Sequence, residues 1–332
     1  MLTTTVVFPE KDLVEVRQVE TDEVKPDQIM IETERSLVST GTELRCLQQG
    51  FTPDAPQWAD WVHYPFNTGY CAAGTVIEAG KDVSRFKEGD RVAGFGSHRR
   101  HTVIDESYAT KIPDDLSFDE GTWFALGAIV QYGFRLARPQ LGETIVVVGL
   151  GNLGQLSARY ARLGGAGELI AIDPAPTRLK LVENVATHCL ACSVEEAVDS
   201  VSDITGGKMA EVLYEVTGHP PVFGPCQRLL AFNGRLVTLG DTGHPEQQGN
   251  TAELSLRNLT IIGANPEITA ATSDWPHPRS GDAFFKFIQR GQMNVKELIT
   301  HRFPVEQAPQ VYDMLIRNRE NTMGVLFTYD NV

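Results

Sequence analysis

Apolar and polar positions keep two different rhythms along this chain, and the change comes near Leu116. Upstream, short alternating runs at 27–35, 74–79, 91–94 and 101–103 are broken by Gly and Pro, the punctuation of a compact β-rich domain. Ser117 followed three residues later by Glu120 has the form of a capping box and predicts a helix through Trp123, Phe124 and Leu126. Beyond it, apolar runs at 144–148, 169–172, 188–191, 212–216, 235–239 and 259–262 alternate with helical periodicity. That alternation is the mark of βαβ units on a parallel sheet. After Asn265 come a Pro-rich stretch, helical patterns at 281–290 and 305–318, and a last strand at 324–329. The pattern predicts an α/β protein with three segments: a β-rich domain at 1–124, a parallel-sheet domain of alternating strands and helices at 125–266, and a C-terminal segment at 267–332.

Composition narrows the ligands. The 332 residues carry 29 Lys+Arg against 43 Asp+Glu, a formal charge of −14, with 42% hydrophobic residues. An acidic chain without a basic run repels phosphate backbones and anionic lipid surfaces, so nucleic acid and membrane are not expected partners and small molecules are. Apolar runs are strand-sized, short of the roughly 18 residues that span a bilayer. The opening MLTTTVVFPEKD has neither a basic stretch nor an apolar run of secretory length, so the expected location is the cytoplasm. Five cysteines at irregular spacing do not form a disulfide framework, and the CxxC of Cys189 and Cys192 lacks a second ligand pair for zinc.

The most specific chemistry is Gly149-Leu150-Gly151-Asn152-Leu153-Gly154, a GxGxxG that closes the run Ile145-Val146-Val147-Val148 and opens a helical pattern. In such a loop the first glycine makes the tight turn and the second lets backbone approach a pyrophosphate at the helix N-terminus. The third lets helix and strand pack closely. A second run ends in Asp173, nineteen positions after Gly154, where a carboxylate accepts the ribose hydroxyls of NAD and repels the 2′-phosphate of NADP. Arg178 either flanks the adenine or is a solvated helix charge, and if it turns inward NADP becomes an alternative. Thr217 and Asn265, each just past a later strand-like run, complete the expected cofactor contacts.

Further motifs extend the picture: Thr40-Gly41-Thr42-Glu43-Leu44, Gly69-Tyr70-Cys71-Ala72-Ala73-Gly74 with Glu78 and Gly80, Gly89-Asp90-Arg91-Val92, and Ile299-Thr300-His301-Arg302-Phe303-Pro304. Their order and spacing resemble the medium-chain dehydrogenase/reductase superfamily over nearly the whole chain. The resemblance implies a chaperonin-10-like β-rich catalytic domain joined to a Rossmann domain. Two segments, Ser39-Thr40-Gly41-Thr42-Glu43 and the run from Leu126 to Gly133, are similar to bacteriochlorophyllide dehydrogenase-like and sugar-related oxidoreductases. Zinc-dependent members carry Cys at the place of Thr40, His-Glu at Tyr70-Cys71 and a third ligand near Leu126. Here those positions supply no set of about three N, S or O donors, and the four-cysteine lobe is missing too, so a zinc-free member is expected.

Without a metal, a side chain must carry the alcohol proton. The resemblance puts Thr40, Thr42, Glu43 and Tyr70 at the nicotinamide end. Thr42 matches the family's relay hydroxyl, Glu43 is either a base or the partner of an Arg, and Tyr70 either polarises the substrate oxygen or fills the core. His98 and His101 are candidate proton handlers, and Trp61, His63 and His277 are candidate substrate contacts. Each has a structural alternative as anchor or filler. The expected function is an NAD-dependent, zinc-independent dehydrogenase of a secondary hydroxyl on a sugar, sugar acid or cyclitol. The rivals are a zinc-free enoyl or quinone reductase, and a non-catalytic nucleotide sensor or partner subunit. The apolar strand at 259–262, expected at a sheet edge, predicts a homodimer or homotetramer.

Overall fold

The structure is a computed structural model that describes residues 1–264 and 274–330. The first part of the chain forms strands β1 (Leu2–Phe8), β2 (Glu15–Glu20), β3 (Gln28–Leu37), β4 (Phe66–Asn67), β5 (Ala72–Ala79), β6 (Arg91–Gly94), β7 (His101–Asp105) and β8 (Ala109–Lys111). The alternating part forms β9 (Ile145–Val148), β10 (Leu169–Ile172), β11 (His188–Leu190), β12 (Ala210–Glu215), β13 (Leu230–Thr238) and β14 (Thr260–Gly263). The C-terminal stretch adds β15 (His301–Pro304) and β16 (Val325–Thr328). Two compact units result. One comprises Met1–Gly50, Trp61–Ala128 and Ile268–Val332, the other Phe51–Asp60 and Ile129–Glu267. The short piece Phe51–Asp60 groups with the second unit.

In the first unit, β3 is the shared strand. Register shifts at Met30/Ile31 and Thr33/Arg35 bend it, so that its first half pairs with β7, its last residues pair with β16, and β5 runs along it antiparallel. The sheet order is β15-β16-β3-β5-β6-β8, beside a small sheet β2-β1-β4. Ile29, Ile31, Val76, Val92 and Ile104, all on strands of the larger sheet, form one buried core cluster. The C-terminal strands β15 and β16 join this sheet.

The second unit is a six-stranded parallel sheet in the order β11-β10-β9-β12-β13-β14. Counting strands within the unit, that is 3-2-1-4-5-6, the doubly wound dinucleotide-binding order. Strand β9 shows why its sequence is uniformly apolar: Ile145 and Val147 enter one buried cluster and Val146 and Val148 the other, because alternate side chains of a strand point to opposite faces and both faces are covered. The edge position of β14 matches the sequence expectation, and Ile261 on it is 37% exposed. None of the described helices is long and apolar enough to cross a membrane.

Candidate functional site

The register of β3 and β5 assembles the candidate site of the first unit. Ser36 lies opposite Ala72, so the residues that leave β3 and those that enter β5 run side by side, and Ser39 meets Tyr70. The chain then turns into helix α1 (Thr40–Gln48), with Ser39 as its N-cap. Ser39 Oγ lies 2.5 Å from the Tyr70 hydroxyl, and Thr42 Oγ1, one turn into the helix, lies 3.4 Å from it. Tyr70 is half-buried, and its ring stacks on Phe95 at 6.4 Å. Burial, reinforced by Cys71, pushes its pKa above that of an ordinary phenol despite hydrogen bonds from Ser39 and Thr42, so the hydroxyl stays protonated through the neutral range.

Glu43 and His98, both candidates by sequence, occupy a closed chamber behind this hydroxyl group. Glu43 is 1% exposed and His98 0%. Glu43 Oε1 accepts the Ser39 backbone N–H at 2.6 Å, while Oε2 accepts from Thr68 Oγ1 at 3.0 Å, from the Tyr312 hydroxyl, and pairs with His98 Nε2 at 3.0 Å. The far ring nitrogen, His98 Nδ1, reaches Ser36 Oγ at 2.7 Å, which meets the Tyr329 hydroxyl at 2.9 Å. Burial pushes the Glu43 carboxyl up, but the His98 charge and hydrogen bonds from His98, Tyr312 and Ser39 outweigh it and hold the group below the usual carboxylate range. The partner of Glu43 is therefore a histidine, in place of the arginine considered from sequence. A side chain without solvent exposure does not touch a substrate, so His98 acts on the site only through what it holds. Tyr312, Thr68, Ser36 and Tyr329 escaped the sequence reading because their bonds span 25 to 293 positions of chain.

The other candidates lie apart. His101 is on β7, where its backbone N–H and Nδ1 are 2.9 and 3.2 Å from Thr3 Oγ1, outside the Tyr70 cluster. Trp61 is 46% exposed and stands edge-on to Phe66, and His63 is exposed. Thr40, half-buried, is the first residue of α1. His277, at the start of helix α2 (His277–Gln289), is buried between Phe95 at 4.7 Å and Tyr108 at 5.0 Å, and so shares an aromatic neighbour with Tyr70. Burial depresses its pKa, and its Nε2 has no hydrogen-bond partner among the described residues.

Residues at the family's metal-ligand positions do not fit a zinc ion. Tyr70 is engaged with hydroxyls, Leu126 is apolar and buried, and Cys71 is fully buried with a thiol pushed well above its ordinary pKa by burial and then by Glu43. Among the described residues no group of three or more His, Cys, Asp or Glu could hold a metal.

In the second unit the glycine loop has the tight turn and the close helix–strand contact its spacing implies. Gly149 has φ +87°, a conformation open to glycine, and a Cβ there would meet Thr217 Cγ2 at 2.5 Å. A Cβ on Gly151 would meet nothing within 4 Å, so the backbone is bare where a pyrophosphate would approach. A Cβ on Gly154 would sit 1.8 Å from the Gly149 carbonyl, so only glycine allows that helix to lie on its strand. Gly151 is the N-cap of the helix Asn152–Leu163 and has no side chain to cap it, leaving the first-turn amides of Asn152 and Leu153 at the positive end of the helix dipole. Asp173 braces this loop: Oδ2 accepts the Leu150 N–H at 2.7 Å and Oδ1 the Ala175 N–H at 2.8 Å. Arg178 is turned toward it, with Nη1 3.6 Å from Oδ2. Thr217 is pinned by Glu215, whose Oε1 accepts its backbone N–H at 2.6 Å and its hydroxyl at 2.5 Å. Glu215 is fully buried and was not singled out by sequence. Asn265 lies outside the described residues.

Comparison with known proteins agrees with both units. Residues 25–114 match the model of the alcohol dehydrogenase GroES-like domain, and residues 152–275 that of the zinc-binding dehydrogenase family. D-guloside 3-dehydrogenase of Escherichia coli (strain K12) is 25% identical over 84% of this chain and 83% of its own length. The structure of galactitol-1-phosphate dehydrogenase from Escherichia coli is 18% identical with a TM-score of 0.83, covering 98% of this chain and 100% of the other. A zinc-binding dehydrogenase from Sinorhizobium meliloti 1021, solved bound to NADP, is 22% identical with a TM-score of 0.80 over 99% and 100% of the two chains.

Proposed function

Because this chain belongs to the medium-chain dehydrogenase/reductase superfamily, we propose that it is a zinc-independent, NAD-dependent oxidoreductase of a secondary hydroxyl on a sugar, sugar acid or cyclitol, or of the corresponding ketone. The observation that carries the reading is the Tyr70 hydroxyl, held by Ser39 and Thr42 where the superfamily's zinc-dependent members place a metal ligand. The sugar or polyol class is supported by the D-guloside and galactitol-1-phosphate dehydrogenases that the chain resembles.

The nicotinamide, when bound, supplies or accepts the hydride. Everything else falls to the chain's own backbone and side-chain groups. Gly149, Gly151, Gly154 and the amides of Asn152 and Leu153 cradle the pyrophosphate, Asp173 accepts the ribose hydroxyls, and Thr217 and Arg178 flank them. In the reducing direction Tyr70 gives its hydroxyl proton to the substrate oxygen as the carbon receives hydride, and water restores it. In the oxidising direction Tyr70 first gives its own proton to water, and the phenolate then takes the alcohol proton as hydride leaves the carbon. Thr42 steadies the phenol, Glu43 and His98 hold the floor beneath it, and Thr40, Trp61, His63 and His277 are assigned to the substrate. The edge strand β14 pairs with its counterpart in a second copy, and light scattering at micromolar concentration should show a dimer or tetramer.

The test is oxidation of a panel of sorbitol, galactitol and methyl glycosides with NAD, after chelator treatment, by the natural protein and by Tyr70→Phe. Chelator-resistant turnover that falls about 10²–10⁴-fold in Tyr70→Phe, with NAD affinity unchanged, is expected. Metal-dependent turnover, or an unaffected Tyr70→Phe, overturns the reading. Activity on conjugated enones or quinones instead would make the protein a reductase, and no turnover at all a nucleotide sensor. One observation favours NADP as the cofactor: Arg178 lies beside Asp173, where a guanidinium would face a 2′-phosphate. Tighter binding of NADP than NAD would establish it.

A further inference from the structure

Ser39 is an N-cap that does not cap. Serine at this position ordinarily turns its hydroxyl back to accept an amide of the first turn. Here that bond is not made. The Ser39 hydroxyl is directed to Tyr70 at 2.5 Å, while Glu43 in the first turn accepts the Ser39 N–H on Oε1 at 2.6 Å. The helix thus gives up a local bond, and the serine is held from behind by a carboxylate that His98, Thr68 and Tyr312 fix in place. Thr42, the hydroxyl implied by family resemblance, is the weaker partner: its 3.4 Å from the phenol lies beyond the usual range of an O–H···O bond.

We infer that Ser39 is a positioning residue for Tyr70: as the phenol gives its proton to the substrate oxygen, Ser39 donates its own hydroxyl proton to the Tyr70 oxygen and stabilises the charge left there. The inference rests on the reading of Tyr70 as the proton donor. The Tyr70 O–H bond breaks, the new O–H bond forms on the substrate, and the phenolate, hydrogen-bonded by Ser39, regains a proton from water. Glu43 and His98 serve this step by fixing the backbone of Ser39. Their burial is then part of the catalytic geometry, since a carboxylate shielded from water holds its acceptor atoms in one place.

The experiment compares Ser39→Ala, Ser39→Thr and Tyr70→Phe in the full-length protein. Turnover is measured with whichever polyol of the panel the natural protein oxidises. The ring resonance of Tyr70, in protein labelled with ring-carbon-labelled tyrosine and assigned by its loss in Tyr70→Phe, is followed without cofactor. Ser39→Ala should lower kcat at least about tenfold with KM and NAD affinity kept, and should move the Tyr70 resonance. Ser39→Thr, which retains the hydroxyl, should recover most of the rate and the resonance position. An unchanged kcat in Ser39→Ala overturns the inference, as does an equal loss in Ser39→Thr, which would mark a packing role. The reading of Tyr70 fails separately, by an active Tyr70→Phe.

Discussion

The two candidate sites, one in each unit, are built on opposite terms. In the glycine loop the working groups are backbone amides, and the glycines act by leaving out a side chain. A stretch of six residues plus one acid at the end of the next strand therefore carries the whole arrangement. In the β-rich unit the working groups are side chains, and each acquires its role from a partner far away in sequence: Tyr70 from Ser39, Glu43 from Tyr312, His98 from Ser36. The contrast teaches that a site made of backbone survives translation from sequence to structure with little loss. A site made of side chains is named by the sequence but sorted only by folding.

That difference is open to attack in descending order of effect. The largest should come from Glu43→Ala, which strips the acceptor from His98, Thr68, Tyr312 and the Ser39 N–H together. Removing one partner of a buried charged pair costs about 3–5 kcal/mol, read as a lower midpoint in urea unfolding. A loss below about 1 kcal/mol, the scale of a surface pair, would show that the chamber is not a coupled network.

Next come paired changes in the loop. Gly154→Ala drives a methyl into the Gly149 carbonyl and should destabilise by about 3 kcal/mol, the upper range of overpacking. Gly151→Ala meets open space, so stability should stay within about 0.5 kcal/mol. NAD affinity, followed by fluorescence titration, should nevertheless fall about tenfold or more, roughly 1.4 kcal/mol. Equal behaviour of the two variants would refute the division of labour among the glycines.

Asp173→Ser should shrink the preference for NAD over NADP by about 1.5–3 kcal/mol, the worth of hydrogen bonds to a charged group. It should also cost stability, because the same carboxylate holds the Leu150 and Ala175 amides. A changed preference with unchanged stability would mean that the bracing bonds are dispensable.

The smallest effect is in the pH dependence of stability. The Glu43 carboxyl titrates lower in the folded chain than its ordinary value of 4.5, so the unfolded chain binds the proton more readily. The stability this confers is fully present above that value and is lost as the pH falls through the folded pKa. His277, depressed below 6.5 by burial, has the same sign at higher pH: its contribution is present above 6.5 and is lost as the solution is acidified. Glu43→Gln should flatten the lower limb of an acid-unfolding curve and leave the upper one. His277→Phe should do the reverse.

Particular residues show where reading the sequence ends. Gly149, Gly151 and Gly154 can be assigned their tasks in advance because the constraint on each lies within a few residues of it. The alternation of strands and helices that orders the parallel sheet is equally local, since apolar periodicity records which faces are covered. His98 and His101 are indistinguishable in Gly96-Ser97-His98-Arg99-Arg100-His101, yet one is sealed against Glu43 and the other bonds Thr3. Ser39 reads as an ordinary helix cap, and nothing local reports that its hydroxyl leaves the helix for Tyr70.

The sequence by itself determined the α/β architecture, the glycine loop and the acid at the end of the next strand, the edge position of β14, and the absence of zinc-ligand types at Thr40, Tyr70 and Leu126. All of these depend on residue type, spacing and periodicity. Only the tertiary structure decided that Glu43 and His98 are buried together, that Tyr70 is held by Ser39 more closely than by Thr42, and that His277 shares Phe95 with Tyr70. Those facts are set by the register of β3 on β5 and by the return of the C-terminal residues to the first sheet. A pairing between distant segments leaves no periodic trace in either one, so it exists only once the chain has closed on itself.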